Sequence, residues 1–482
     1  MNLTNFRLYI FSSIHLAVFL LSLVTNWYLP LISILALVLL FEALEKLGKG
    51  IVLREMISLF AVFISLIMPY FGYKVYNVNN RLAKLWVRYM PVPEDVYFSY
   101  ALPALTLFVF ALCFPIMSKE VSDTGEKLQS IIERAKLKLM TMPFKGTTII
   151  LIGLGIFMVI EFLPAGFQFV ASLLYFASFA GLLYVYYTPN IKYKKLVLLL
   201  FGLFIISNAL RGGMFTIVAY MGITIFSFFF LGRKVSLLRK LAVFIVSAFF
   251  LLVIQSVKVT YRKMTWDENY QGNKAVLFAN LVWDRVNSPK GFLAADAFFP
   301  IYYRTNQGYN LALVMRRFPS MRQHDFGENL GITLASSVTP RLLWPDKPEA
   351  GGKFNMKYYA GVNLRGWSTN VGPLGEAYGS FGRTGGMIYM LILGLFIRWA
   401  YLRVFIIARR IPLVIFWIPV LFYQITYSAE SDTLQILNSV LKSSFFVWML
   451  SYVAPSWLGI VRKKIRATRK QMGETISQPA LK

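Results

Sequence analysis

The sequence predicts an all-α polytopic membrane protein, with about twelve transmembrane helices and one large polar loop between the ninth and the tenth. Three observations predict it. Apolar residues make up 57% of the chain and charged residues 15%, against roughly 45–50% and 25% in soluble domains. Long apolar runs recur from one end of the sequence to the other. The polar breaks between them alternate between strongly basic and nearly uncharged.

A span needs about 20 apolar residues. Such runs fall near 7–27, 29–45, 56–76, 97–117, 147–163, 168–187, 195–210, 213–231, 240–257, 384–402, 411–427 and 436–455. The first is long enough to stay as an anchor and has no small-residue cleavage site, so no cleavable signal is expected. The chain therefore divides into N-terminal spans (1–118), a cytoplasmic amphipathic segment (119–146), central spans (147–257), a large extracytoplasmic loop (258–383), C-terminal spans (384–456) and a basic cytoplasmic tail (457–482). In the 119–146 segment, Leu128, Ile131, Ile132, Ala135 and Leu139 recur at helical spacing beside Lys136 and Lys138. This reads as a helix lying on the anionic inner leaflet.

Loop charge gives the orientation. One set of breaks carries Lys46, Lys49 and Arg54, then Lys119 to Lys145, Lys192 to Lys195, Arg233 to Lys240, and Arg403, Arg409 and Arg410. The alternate short turns, at Trp27–Pro30, Leu163–Gly166 and Ser428–Asp432, are almost free of positive charge. By the positive-inside rule the basic set and both termini are cytoplasmic. Most of the +28 formal charge, from 50 Lys+Arg against 22 Asp+Glu, is thereby explained without nucleic acid. The 42 Phe, 27 Tyr and 10 Trp suit a lipid-facing surface with aromatic belts. With 1 Cys and 2 His, neither an internal disulfide nor a metal site is expected.

The 258–383 segment is the main exception to the charge rule, beside Arg211 and the 77–96 loop with Arg81, Lys84 and Arg88, which also lie outside. It lies outside, yet carries Arg262, Arg285, Arg304, Arg316, Arg317, Arg322, Arg341 and Arg365. Long loops cross the membrane largely regardless of charge, so these arginines need another explanation. Guanidinium groups pair bidentately with phosphate oxygens, so a phosphate or pyrophosphate ligand at the membrane surface fits. The prolines and glycines from Arg341 to Gly382 exclude one continuous helix and favour an ordered segment packed on the bundle, which as a bare structural cap would need no ligand.

The stretch Gly375-Glu376-Ala-Tyr378-Gly-Ser-Phe-Gly382 entering a late span resembles the pattern of O-antigen (Wzy-type) repeat-unit polymerases. Leu343-Trp-Pro-Asp-Lys-Pro348 and Asn208-Ala-Leu-Arg211-Gly-Gly213 add to the likeness, which covers residues 195–455 in architecture. Arg211 to Gly222 and Arg341 to Gly352 also match an Arg-x10-Gly spacing described for that family. The resemblance implies a GT-C-like, O-antigen-polymerase-like bundle. It implies an enzyme that joins oligosaccharide units carried on undecaprenyl pyrophosphate at the outer face of the bacterial inner membrane, with no cofactor and no metal. The partners implied are those lipid-linked oligosaccharides, membrane lipids, a chain-length regulator and a flippase, and no nucleic acid.

That reaction needs fixed cations for a departing lipid pyrophosphate. Arg211, Arg304, Arg341 and Arg365 are the candidates, with Lys258 and Arg262 just above the membrane. Arg211 stands where a phosphate would sit, although snorkelling to lipid headgroups would also place it there. Glu376 is the candidate base for the attacking hydroxyl, with structural pairing to an arginine as its alternative. Tyr378 follows it as a glycan contact. Glu430 and Asp432 occupy the last outer turn, and Lys442 lies two helical turns into the final span, where a charge needs a partner or a cavity. His324 reads as a surface histidine and His15 as a packing or hydrogen-bonding residue within a span. Two further readings stay open. An O-antigen ligase would share fold and pyrophosphate site. A lipid-oligosaccharide flippase would need charges along a central cavity within the spans.

Overall fold

The structure, a computed structural model, describes residues 3–116, 120–212, 216–268, 270–288, 295–339, 343–347, 352–365, 369–423, 425 and 430–460. Among these, nine helices are long and apolar enough to cross a membrane: Phe6–Val24, Tyr28–Lys46, Leu53–Lys74, Glu94–Cys113, Lys145–Phe162, Phe167–Tyr187, Leu237–Lys258, Gly372–Ala408 and Thr433–Val453. The chain is a helical multi-pass membrane protein. The other three expected spans fall on Lys194–Gly212, on the shorter Thr216–Phe230 and on Pro412–Phe422, which opens with a 3-10 helix over Pro412–Trp417.

Close backbone approach holds several of these helices together. Lipid offers no hydrophobic drive between helices, so small residues that admit tight packing matter. A Cβ added at Gly146 would lie 2.8 Å from the Gly181 carbonyl oxygen, and one at Gly181 would lie 2.8 Å from that of Gly146. Lys145–Val159 and Ala165–Tyr187 thus touch backbone to backbone. Gly394 does the same for Gly372–Ala408, where a Cβ would meet the Phe108 carbonyl oxygen at 2.7 Å. Bulk aromatics fill the interior elsewhere. Trp417 is fully buried and donates from Nε1 to the Tyr184 hydroxyl at 3.0 Å.

The amphipathic segment is a helix, Gly125–Met140, but its apolar face does not lie on lipid. Leu128, Ile131, Ile132, Ala135 and Leu139 are all buried in the main core, where the helix packs on Pro412–Trp417. A narrow apolar stripe can be covered by neighbouring helices as readily as by a leaflet. Arg134 adds a bond to the Arg409 carbonyl at 2.9 Å.

On the same face, Lys46 donates to Glu55 Oε1 at 2.7 Å and to Asp123 Oδ2 at 2.5 Å. Arg54 donates to Asp123 Oδ2 at 2.7 Å and to the carbonyls of Leu112 and Phe114. Burial would raise the Asp123 carboxyl, but the adjacent Lys46 and Arg54 charges outweigh it and hold the group below the usual carboxylate range. This buried network ties the ends of three spans to the segment that precedes Gly125–Met140.

Residues 258–383 are mostly short helices rather than open loop: Lys274–Asn287, Ala295–Thr305, Gly308–Arg317, Glu328–Val338 and Gly352–Asn355. Gly308–Arg317 is buried over most of its length. It enters the bundle because Gly308 has no side chain, and a Cβ there would meet the Tyr97 hydroxyl at 2.2 Å. The glycine-rich stretch becomes the start of Gly372–Ala408, with proline in its first turn and a break at Gly382, φ 66° and ψ −159°. The apolar span follows that break.

Candidate functional site on the loop-bearing face

The final span begins from the turn Glu430-Ser431-Asp432-Thr433, which holds two unlike groups of charges. On one side, Asp432 caps Thr433–Val453 by accepting from the Gln435 amide. Glu376 accepts from the Thr433 amide at 2.9 Å and the Thr433 hydroxyl at 2.5 Å on Oε2, and from Asn355 Nδ2 at 2.6 Å on Oε1. Asn370 donates to Asp432 Oδ2 at 2.9 Å. Asn310 in turn donates to the Asn370 carbonyl and the Thr369 hydroxyl, both at 2.8 Å. Both carboxylates are 1% exposed. Two buried carboxylates repel each other, and the orphan amides of a helix N-terminus with the flanking side-chain donors offset that repulsion.

On the other side, Glu430 accepts from Arg304 Nη2 at 3.1 Å. Lys258, at the end of its span, is buried and couples electrostatically to Arg262, Arg304 and Glu430. Its ammonium has no hydrogen-bond or ion-pair partner among the described residues. Burial and the neighbouring Arg304 both lower the Arg262 pKa, and its guanidinium lies over Trp266, 4.5 Å from the ring centroid. Three cations therefore gather around Glu430. A buried, uncompensated cation is costly unless an anion joins it. Tyr261 donates to the Leu210 carbonyl at 2.6 Å, so Lys194–Gly212 ends beside the helical turn that carries Lys258 and Arg262.

The structure thus brings Lys258, Arg262, Arg304 and Glu430 together, and separately joins Glu376 to Asp432. Glu376 pairs with amide and hydroxyl donors, not with an arginine. Tyr378 lies between Tyr100 and His324, with ring centroids at 4.8 and 5.8 Å. Lys442 sits over the Phe169 ring at 4.7 Å. Arg365 is exposed. The Arg211 side chain and all of Arg341 lie outside the described residues.

Sequence reasoning missed several members. Asn355, Asn370 and Thr433 complete the carboxylate group, yet isolated Asn and Thr residues carry no periodic signal. Asp432-Thr433 ahead of an apolar run is a helix N-cap pattern and was readable as one. His324 is half-buried against the Gly382 break, with Nδ1 3.0 Å from the Gly379 carbonyl. Beside it, burial and a bond to Asp325 push the Tyr358 hydroxyl up to about 12, and the Arg322 guanidinium stacks on its ring at 3.8 Å.

A family described as Domain of unknown function (DUF8712) matches residues 121–404. The chain belongs to that family. The matched region takes in Asp123, Lys258, Arg262, Arg304 and Glu376, and stops before Glu430 and Asp432. No curated protein and no solved structure matches the chain.

Proposed function

We propose that the chain is a membrane glycosyltransferase that polymerises oligosaccharide repeat units carried on undecaprenyl pyrophosphate. The observation that supports it is the cation group of Lys258, Arg262 and Arg304, gathered around Glu430 at the end of a span. That is the depth at which a lipid pyrophosphate lies. In this reading the chain is a GT-C-like bundle of twelve spans in the bacterial inner membrane, with both termini cytoplasmic and the 258–383 region outside. Arg211, Arg341 and Arg365 extend the phosphate site, and Tyr378 and Lys442 border the glycan path. A chain-length regulator and a flippase are its expected partners.

In the transfer, the anomeric carbon of the growing glycan loses its bond to the pyrophosphate oxygen. It gains a bond to a hydroxyl oxygen of the next lipid-linked unit. The departing pyrophosphate carries the negative charge, which the cation group stabilises. The hydroxyl proton passes to a base. Glu376 reaches an acceptor only if Asn355 moves aside, because both its oxygens hold protein donors. Its first role is to fix the turn that carries Glu430.

The test is a purified, reconstituted protein given lipid-linked repeat units. Chains longer than one unit, formed without added Mg²⁺ or Mn²⁺, support the proposal. Transfer to a lipid A-type acceptor instead supports the ligase reading. Movement of intact lipid-linked units across the bilayer without elongation supports a flippase, which the buried charges of Glu42, Lys46, Arg54 and Glu55 would suit.

A further inference from the structure

Four polar atoms from four helices meet in the bundle near the basic face with hydrogen-bonding capacity left over. His15 comes from Leu3–Val24, Glu42 from Tyr28–Lys46, Glu55 from Leu53–Val62 and Cys113 from Glu94–Cys113. All are at most 1% exposed. Among the described residues, neither ring nitrogen of His15 has a hydrogen-bond partner, and neither does Glu42 Oε2 or Glu55 Oε2. One ligand atom each from Glu42, Glu55 and Cys113 lies within 4.8 Å of the others. His15 Nε2 is 3.9 Å from Glu42 Oε2.

Orphaned polar atoms in a lipid-embedded interior are expensive, and four of them in one place call for an occupant. The neighbouring ion pairs do not supply it. Lys46 and Arg54 are spent on Asp123 and on Glu55 Oε1, which leaves Glu55 Oε2 free. Charge also points to a cation. The buried group holds three carboxyl groups, Glu42, Glu55 and Asp123, against two cations, Lys46 and Arg54, so one carboxyl has no cation of its own. A single proton shared between Glu42 and one neighbour would satisfy at most two of the orphaned atoms. A divalent ion would engage Glu42, Glu55 and His15 at once and take Cys113 as a fourth ligand.

We propose that His15, Glu42, Glu55 and Cys113 form a structural site for one divalent transition-metal ion of borderline softness, zinc before others. Mixed imidazole, carboxylate and thiolate donors suit zinc. Bonds of about 2.0–2.3 Å to a tetrahedral ion bring ligand atoms roughly 3.3–3.8 Å apart, so the Glu42, Glu55 and Cys113 atoms must draw in by up to about an ångström and His15 must follow Glu42 toward them. Counting one cysteine and two histidines argued against any metal site; the donor set is instead completed by carboxylates brought from distant spans. The site lies on the face opposite the cation group, so it staples the N-terminal spans together and takes no part in phosphate binding.

The experiment uses the full-length protein in detergent, with monodispersity checked for every variant. Metal content is measured as purified, then after stripping and titration with Zn²⁺ or Co²⁺. The expected result is about one ion per chain, with a thiolate-to-cobalt charge-transfer band in the Co²⁺ form. Cys113→Ser should keep the cobalt but lose that band, since Ser58 already packs beside it. Glu42→Gln and His15→Ala should weaken binding by at least roughly 10- to 100-fold, the scale for disturbing a metal's surroundings. A monodisperse wild type that binds neither ion would overturn the proposal and leave a proton as the occupant. Equal binding by wild type and all three variants would overturn it too.

Discussion

Two groups of charges, one on each face of the bundle, use the same residue types to opposite ends. On the basic face, Lys46 and Arg54 are matched by Asp123 and Glu55 and almost completely buried. On the loop-bearing face, Lys258, Arg262 and Arg304 gather around Glu430, and the Arg304–Glu430 pair is partly open, with side-chain exposures of 49% and 17%. The first group matches its two cations with buried carboxylates and holds helices together. The second keeps a positive surplus at a surface a ligand can reach. Positive charge in this chain is therefore no guide to binding by itself; matching and burial separate a structural cation from one that awaits an anion.

The largest effect should come from breaking the closed group. Asp123→Ala leaves Lys46 and Arg54 buried without their shared carboxylate, which costs about 3–5 kcal/mol. The expected outcome is loss of folded protein, read by fluorescence-detected size exclusion. The same group predicts the acid response. Because the folded Asp123 carboxyl is held below its ordinary value, its stabilisation is present at neutral pH and is lost only as pH falls through that lowered value. Thermal stability tied to Asp123 should thus persist to mildly acidic pH and fall below the ordinary carboxylate range. Loss already near neutral pH would mean that the group is not closed.

The open group should respond in activity rather than stability. Arg304→Ala and Arg262→Ala should each cost about 2–4 kcal/mol of transition-state stabilisation, on the scale of a lost oxyanion donor. Arg→Lys should recover little, since a point charge lacks the bidentate fork. Lys258→Met sharpens the contrast. It removes a buried, unmatched cation, so it should raise the melting temperature while reducing transfer. A fall in both would place Lys258 with the structural charges.

Glu376→Gln tests the seam between the groups. An amide cannot accept the Thr433 amide, the Thr433 hydroxyl and the Asn355 amide together, so one bond becomes a donor–donor contact. The buried mismatch should cost about 1–3 kcal/mol of stability. If Glu376 is also the base, transfer should slow by about 10²–10⁴ at equal protein level. A stability loss with activity per folded molecule unchanged would confine it to the turn. Arg365→Ala should show the smallest effect of all, because an exposed guanidinium acts through water.

The spans were legible because about 20 apolar residues in a row have few other uses. The helical nature of 258–383 was harder to see. Its helices are short, and Gly308–Arg317 is buried by Tyr97 and its neighbours, contacts that no local pattern encodes. The apolar stripe from Leu128 to Leu139 marked its helix correctly, but amphipathicity is the same whether protein or lipid covers the stripe. In the candidate site, Lys258, Arg262 and Arg304 stood out as cations beside a span. Their grouping around Glu430 depends on three separate stretches of chain meeting. His15 illustrates the same limit: its position in a span was plain, and its unmatched ring nitrogens beside Glu42 were not.

The most direct test of the proposed function is elongation by the purified protein in proteoliposomes. Undecaprenyl-pyrophosphate-linked repeat units are supplied on one side, EDTA is present, and the metal content of the same sample is measured. The account predicts a ladder of glycans on the carrier, with release of undecaprenyl pyrophosphate for each unit added, and loss of the ladder in Arg304→Ala at unchanged protein level. No ladder from folded protein, or a ladder that vanishes in EDTA and returns with Mg²⁺ while the protein's zinc content is unchanged, would contradict it.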